Sequence, residues 1–293
     1  MTQRIVAQGE LAWQSKLVLL VVLPFVGADV LLESRFWTVQ EPRVTAWTLG
    51  LSALLGVVTW GLRAATPAAA ATGAAITAAL MFSTAPSPFD PWHTALVSVL
   101  AVSLLAFAAT RTGRARKEKL GTAEKRRGRS ASQVAANLGI AALACGEAAK
   151  IWLFGTRWLT HGFTPLFAAA LAALAEAAAD TVSSEIGQVL GGRPRMITSL
   201  RSVNPGRDGA VSLPGTLAGM AAGAVVAALG TYALRGGMRL FWMSCAGAVF
   251  GLFFDSLLGA TLEERGWLNN DAVNFLSTAG AAGVALALMT AVR

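Results

Sequence analysis

The stretch from Ala175 to Gln188, AEAAADTVSSEIGQ, sets three carboxylates, Glu176, Asp180 and Glu185, in an alanine-rich run. A further acid, Asp255, stands in FFDSLLGATLEERG, again beside apolar residues. Acids inside span-like segments are costly to bury and are usually functional. Between them lies GGRPRMITSLRSVNPGRDGAVSLPG, with five glycines, three prolines and four arginines, running straight into the next apolar segment. Glycine lets backbone N–H groups approach an anion closely, and the start of a helix adds a favourable dipole. Arginine supplies a planar, permanently charged fork for phosphate. Carboxylates repel a bare phosphate but suit a metal–phosphate complex, since Mg²⁺ is commonly held by one or two carboxylates together with phosphate oxygens. Acids plus a Gly/Arg loop therefore point to a nucleotide or pyrophosphate site.

Each feature also has a plainer reading. Asp180 with Ser183 and Ser184 could form a polar packing face, and Asp255 with Gly251 and Gly259 could serve close helix packing. Glu176 either shares the face of Asp180, one turn away, or pairs with Lys150. Glu147 and Lys150, three residues apart, read as an intrahelical ion pair. Asn269, Asn270 and Asp271 could cap a helix.

The elements that must position these residues follow from composition. The 293 residues are 55% hydrophobic and only 14% charged, with a mean hydropathy of +0.57; soluble domains carry nearer a quarter charged residues. Apolar stretches of span length recur along the chain, which defines an all-α, polytopic transmembrane helix bundle. Spans are expected near 17–33, 44–63, 66–82, 93–110, 132–154, 162–188, 211–233, 239–260 and 271–292. The third is Ala-rich and only mildly apolar, as expected for a helix packed among others. The run Leu17–Leu32 reads as an anchor rather than a cleaved signal peptide, because it lacks a small-residue cleavage site. Four N-terminal helices (1–110), a basic loop (111–131) and a five-helix core (132–293) carrying the Gly/Arg-rich loop 191–210 complete the organisation.

The net charge of +8 sits in loops without an aromatic-interleaved stripe, so it reads as an orientation signal rather than a nucleic-acid surface. The connection Arg111–Ser130 holds nine Lys/Arg against two Glu and is expected to be cytoplasmic and solvated, with contact to anionic lipid headgroups as the alternative. Four preceding spans then put the N-terminus inside, with 17 of the 24 basic residues. Cys145 and Cys245 lie in apolar segments as small core residues, and His93 and His161 are too far apart for a zinc site. In this topology the polar residues of separate spans gather at one face: Gln133 and Asn137, Asp180 and Glu185, Asp255, and Asn270, Asp271 and Asn274. That one-sidedness weighs against a secondary transporter, whose polar residues belong near the midplane.

At these residues the chain resembles the integral membrane family that includes the plant phytyl-phosphate kinase and transmembrane protein 19. The similar segments are GRSASQVAAN, ADTVSSEIGQ, PGRDGAVSLPGT, DSLLGATLEERG and NNDAVNFLSTAGA, in the family's order over roughly residues 128–283. Arg207 departs from the pattern where a small hydroxyl residue is expected, and Glu263 where Gln is common. The resemblance implies a kinase at the inner face of a bacterial plasma membrane. It would pass a phosphoryl group from CTP, with Mg²⁺, to an isoprenoid lipid phosphate such as phytyl, geranylgeranyl or farnesyl phosphate. A CTP-dependent lipid cytidylyltransferase is the neighbouring alternative. On that reading Asp180, Glu185 and Asp255 hold the metal. Arg193, Arg195, Arg201 and Arg207 contact phosphates, and Gly206, Asp208, Gly209 and Ser212 shape the phosphate loop. Gln133, Asn137, Asn270, Asp271 and Asn274 position nucleotide or headgroup.

Overall fold

The computed structural model describes residues 12–121, 128–154 and 162–291. They form an α-helical bundle: α1 (Ala12–Gln40), α2 (Pro42–Gly61), α3 (Pro67–Ser83), α4 (Leu96–Arg111), α5 (Arg114–Leu120), α6 (Ala131–Cys145), α7 (Glu147–Phe154), α8 (Thr164–Leu190), α9 (Leu213–Ala233), α10 (Met238–Leu258) and α11 (Asn270–Ala291). Each expected apolar segment contains a helix. By length and apolarity six helices can cross a bilayer, or seven if α4 and α5, bent by 65°, count as one span. The number is smaller than expected because α3 and α6 are short, at 17 and 15 residues.

The break after α6 has a local cause. Asp29 of α1, buried among the helices, accepts a hydrogen bond from the Glu147 amide at 3.2 Å. A Cβ at Gly146 would fall 2.2 Å from the Asp29 carboxylate. The chain can pass this acid only at a glycine, and the helix restarts as α7. There Lys150 bonds Glu147 at 2.7 Å and Glu33 of α1 at 3.4 Å. The expected Glu147–Lys150 pair therefore forms, and Glu176 is not the partner of Lys150.

Helix α8 is the axis of the bundle and packs against α4, α6, α9, α10 and α11. Its alanines from Ala168 to Ala179 are buried, and their small size lets neighbours come close. Gly215, Gly219 and Gly223 of α9 form the matching stripe, with ideal Cβ positions 2.6, 2.5 and 3.1 Å from the Ser183, Ala179 and Ala175 carbonyl oxygens. Four helices begin at one end of the bundle with polar caps: Thr66 on α3, Ser130 on α6, Ser212 on α9 and Asn269 on α11. The loop before α9 adds an element not expected from the sequence, a two-stranded antiparallel ladder of β1 (Arg195–Met196) and β2 (Ala210–Val211).

Candidate active site

The site is built at the capped end. The segment Gly128–Arg129–Ser130 runs beside the turn between α2 and α3. The Arg129 amide donates to the Ala64 carbonyl at 3.0 Å, and the Arg129 carbonyl accepts from the Thr66 amide at 3.0 Å. Gly128 has φ of +73°, and its ideal Cβ would lie 2.5 Å from the Ala64 carbonyl carbon, so a side chain is excluded on two counts. Ser130 then caps α6 in a reciprocal box with Gln133. Backbone pairing thus aims the Arg129 side chain inward, where Nη2 donates to Thr181 Oγ1 at 3.3 Å and the guanidinium is within charge range of Asp180.

Arg129 borders a polar cavity of about 560 Å³ shared by α6, α8 and α11. Asp180, Ser184 and Glu185 contribute from α8, Gln133 and Asn137 from α6, Asn270, Asp271 and Asn274 from α11, and Asp208 from the loop. An adjoining recess of about 230 Å³ adds Asp255 and Ser256 of α10 together with Gly206, Arg207, Gly209 and Ser212. Asp180, Asp208, Glu263, Asn270 and Asn274 line both spaces, so they form one continuous site.

Its electrostatics are dominated by acids. Asp180 and Asp255, on different helices, lie side by side, and Glu176 and Glu263 are within charge range of Asp255. Glu176 is 1% exposed, with Gly251 of α10 directly over it. Asp255 Oδ2 and Glu176 Oε1 are buried without a hydrogen-bond partner. Among the described residues no three His, Cys, Asp or Glu side chains converge as a complete metal cage. Mg²⁺ does not need one when phosphates supply the other oxygens. Two adjacent carboxylates with an unused buried oxygen fit that mode of binding.

The remaining expected residues divide. Glu185 lines the cavity, but its carboxylate is bonded by Lys117 of α5. Lys117 is 1% exposed and also donates to the Ala109 and Thr110 carbonyls at 2.8 and 3.1 Å. This anchors the bent α4–α5 pair to α8, where a solvated basic loop was expected. Arg207 pairs with Glu264 through Nε at 2.9 Å and through Nη2. Arg193, Arg195 and Arg201, expected to contact phosphates, are exposed on the hairpin and line neither space. Within the hairpin Arg195 pairs with Val211 and bridges to Ser202. Gly209 approaches the Gly259–Ala260 backbone, with φ of +72°, and so fixes the loop against α10. Ser212 and Gln133 serve as caps as well as lining the site. Asp271 accepts from Ser15 of α1 at 2.6 Å, tying the N-terminal helix to the site. Arg129 borders the cavity although it was not among the expected site residues; its signal lay in the GRSASQVAAN segment.

The arrangement is a polar, acid-rich pocket at one end of a membrane helix bundle. The profile of the integral membrane protein family DUF92 matches residues 50–282, and the chain belongs to that family. The membrane protein sll0875 of Synechocystis sp. is 32% identical over 257 residues, covering 84% of this chain and 82% of that protein. Protein VTE6, chloroplastic, of Arabidopsis thaliana is 30% identical over 183 residues, or 61% of this chain and 54% of VTE6. The membrane protein MJ0933 of Methanocaldococcus jannaschii is 38% identical over 126 residues, 43% of this chain and 50% of that protein. No solved structure matches the chain. The family resemblance read from the sequence segments is borne out.

Proposed function

We propose that this protein is a membrane-embedded kinase that transfers the γ-phosphoryl group of a nucleoside triphosphate, CTP by the family resemblance, to an isoprenyl monophosphate. Phytyl, geranylgeranyl and farnesyl phosphates are the acceptor class, the product is the diphosphate, and the site faces the cytoplasm. The observation that supports this reading above the others is the shared pocket, in which Asp180, Asp255 and Arg129 from three separate segments meet a rim of amides and hydroxyls. An acceptor phosphate oxygen forms a bond to the γ-phosphorus while the bond from that phosphorus to the β,γ-bridging oxygen breaks, and the nucleoside diphosphate leaves. The acceptor is already an anionic nucleophile near neutral pH, so the protein needs no strong general base. It must bring two polyanions together, and phosphoryl transfer rests mainly on positioning and charge stabilisation.

Bound Mg²⁺ would offset phosphate charge, with Asp180 and Asp255 as its protein ligands. Arg129 supplies the protein's cationic fork, held by Thr181 below and by its own backbone at the side. Asn270 and Asn274, one turn apart on α11, offer amides to the same space. Purified protein in lipid nanodiscs, given a panel of isoprenyl phosphates and the four nucleoside triphosphates, is expected to yield prenyl diphosphate and nucleoside diphosphate in equal amounts by mass spectrometry. CMP on the lipid with release of pyrophosphate would instead establish a cytidylyltransferase. Uptake into sealed vesicles without nucleotide consumption would establish a transporter.

A further inference from the structure

A second cavity, of about 500 Å³, lies among α2, α3, α4 and α6 and adjoins the polar site. Its volume is that of a ligand pocket. Leu55, Val102 and Leu138 give it apolar walls. Its mouth is basic: Arg63, Arg111, Arg114 and Arg129 all border it. Arg111 is held in place by the Leu62 carbonyl at 3.2 Å and by the Phe107 ring 4.0 Å beneath it. Arg129 and Asn137 line this cavity and the polar site alike, so the two spaces meet at the guanidinium of Arg129.

The Ala-rich sequence of α3 makes the room. Small residues on a membrane helix usually mark close packing, as on α9, where each glycine of the stripe abuts an α8 carbonyl. Gly73 of α3 behaves otherwise: a Cβ there would meet only Val134 Cγ1, at 3.7 Å. Its missing side chain leaves space beside α6 instead of admitting a neighbouring backbone. An apolar slot with a cationic collar complements one kind of molecule, a single-chain amphiphile with an anionic head. We infer that the slot between α3, α4 and α6 holds the hydrocarbon chain of the acceptor lipid, with its phosphate at Arg129 facing the polar cavity, and that Gly73 sets the chain length accepted. This rests on the kinase reading for the identity of the head group.

The test has two arms. Wild-type protein is photolabelled, without nucleotide, by farnesyl phosphate carrying a diazirine at the chain terminus, and the adducts are mapped by peptide mass spectrometry. Adducts are expected at the slot-lining residues of α2, α3, α4 or α6, and are expected to be lost with excess unlabelled farnesyl phosphate. In the second arm Gly73→Leu is assayed on C10 and C20 prenyl phosphates. The added side chain fills the slot, so the C10-to-C20 ratio of kcat/KM is expected to rise about tenfold, the scale at which an apolar pocket discriminates by size. Adducts confined to other helices, or slot adducts that free farnesyl phosphate does not displace, as with a resident phospholipid, would overturn the inference. Slot labelling in a protein that never consumes nucleotide would sink the kinase reading and leave the lipid site standing. Turnover with labelling elsewhere would do the reverse. If Gly73→Leu fails to fold, the wild-type labelling decides alone.

Discussion

Replacing Arg129 separates the two roles that the structure gives it. The backbone of this residue joins the α2–α3 turn through hydrogen bonds to Ala64 and Thr66, both 3.0 Å long, which any residue can make. The side chain contributes a bond to Thr181 at 3.3 Å. A net hydrogen bond of that kind is worth about 0.5–1.5 kcal/mol, and losing the cation beside Asp180 adds to it, so Arg129→Ala should lower thermal stability by more than that bond alone while the backbone pairing keeps the segment in place. Catalysis should suffer far more. Losing one preorganised charge-stabilising donor removes about 2.7–4 kcal/mol of transition-state stabilisation, or roughly 10²–10³ in kcat. Arg129→Lys restores the charge but not the planar fork and should recover only part of that loss. The assay is prenyl diphosphate formation under saturating lipid and nucleotide, with unfolding in detergent followed in parallel. Arg129→Ala turning over within threefold of wild type, or losing activity only in proportion to lost folded protein, would refute the argument.

Two further perturbations probe the acids. Asp180→Asn and Asp255→Asn each relieve repulsion between neighbouring buried carboxylates, so without metal they should unfold at a higher temperature than wild type while losing turnover. Mg²⁺ with a non-hydrolysable CTP analogue at a hundred times Kd should stabilise wild type by about 2.7 kcal/mol and the variants much less; equal stabilisation would remove both residues from the metal. Lys117→Met leaves the Glu185 carboxylate without its buried partner and should destabilise by about 3–5 kcal/mol. Adding Glu185→Gln should recover most of that in a double-mutant cycle, and single-variant unfolding curves matching wild type would show the pair to be inconsequential.

The polar members of the site were legible because apolar spans make them conspicuous. Asp180, Asp255, Asn137 and Asn274 interrupt alanine- or leucine-rich helices, and alternating helix direction alone brings them to one end. The arginines were not legible in the same way. Arg193, Arg195 and Arg201 stand in a glycine-rich loop that reads as a phosphate cradle, yet they are exposed on the hairpin and line neither space. Arg129 stands in a basic tract whose charges all read as orientation signals. Only the bridge from Ala65 to Arg129, a contact across 64 residues of sequence, separates it from its neighbours. The break between α6 and α7 was hidden for a similar reason, since it depends on Asp29 arriving from another helix.

The alanine-rich run with which the sequence poses its question has a structural answer as well as a chemical one. Burying Glu176 and Asp180 is costly anywhere in a membrane bundle, and an opposite charge brought close lowers the cost. On α8 the alanines admit α9, α10 and α11 to near backbone contact, which excludes lipid from around the acids and brings Asp255 beside Asp180. The same closeness fixes the direction of approach: with Gly251 over Glu176 and the Gly209 loop against α10, counter-charge reaches the acids from the end where Arg129 stands. The helix surface that makes the acids tolerable is therefore also what makes them a site, and enlarging Gly251, whose Cβ would lie 2.5 Å from Glu176 Cγ, strikes packing and site together.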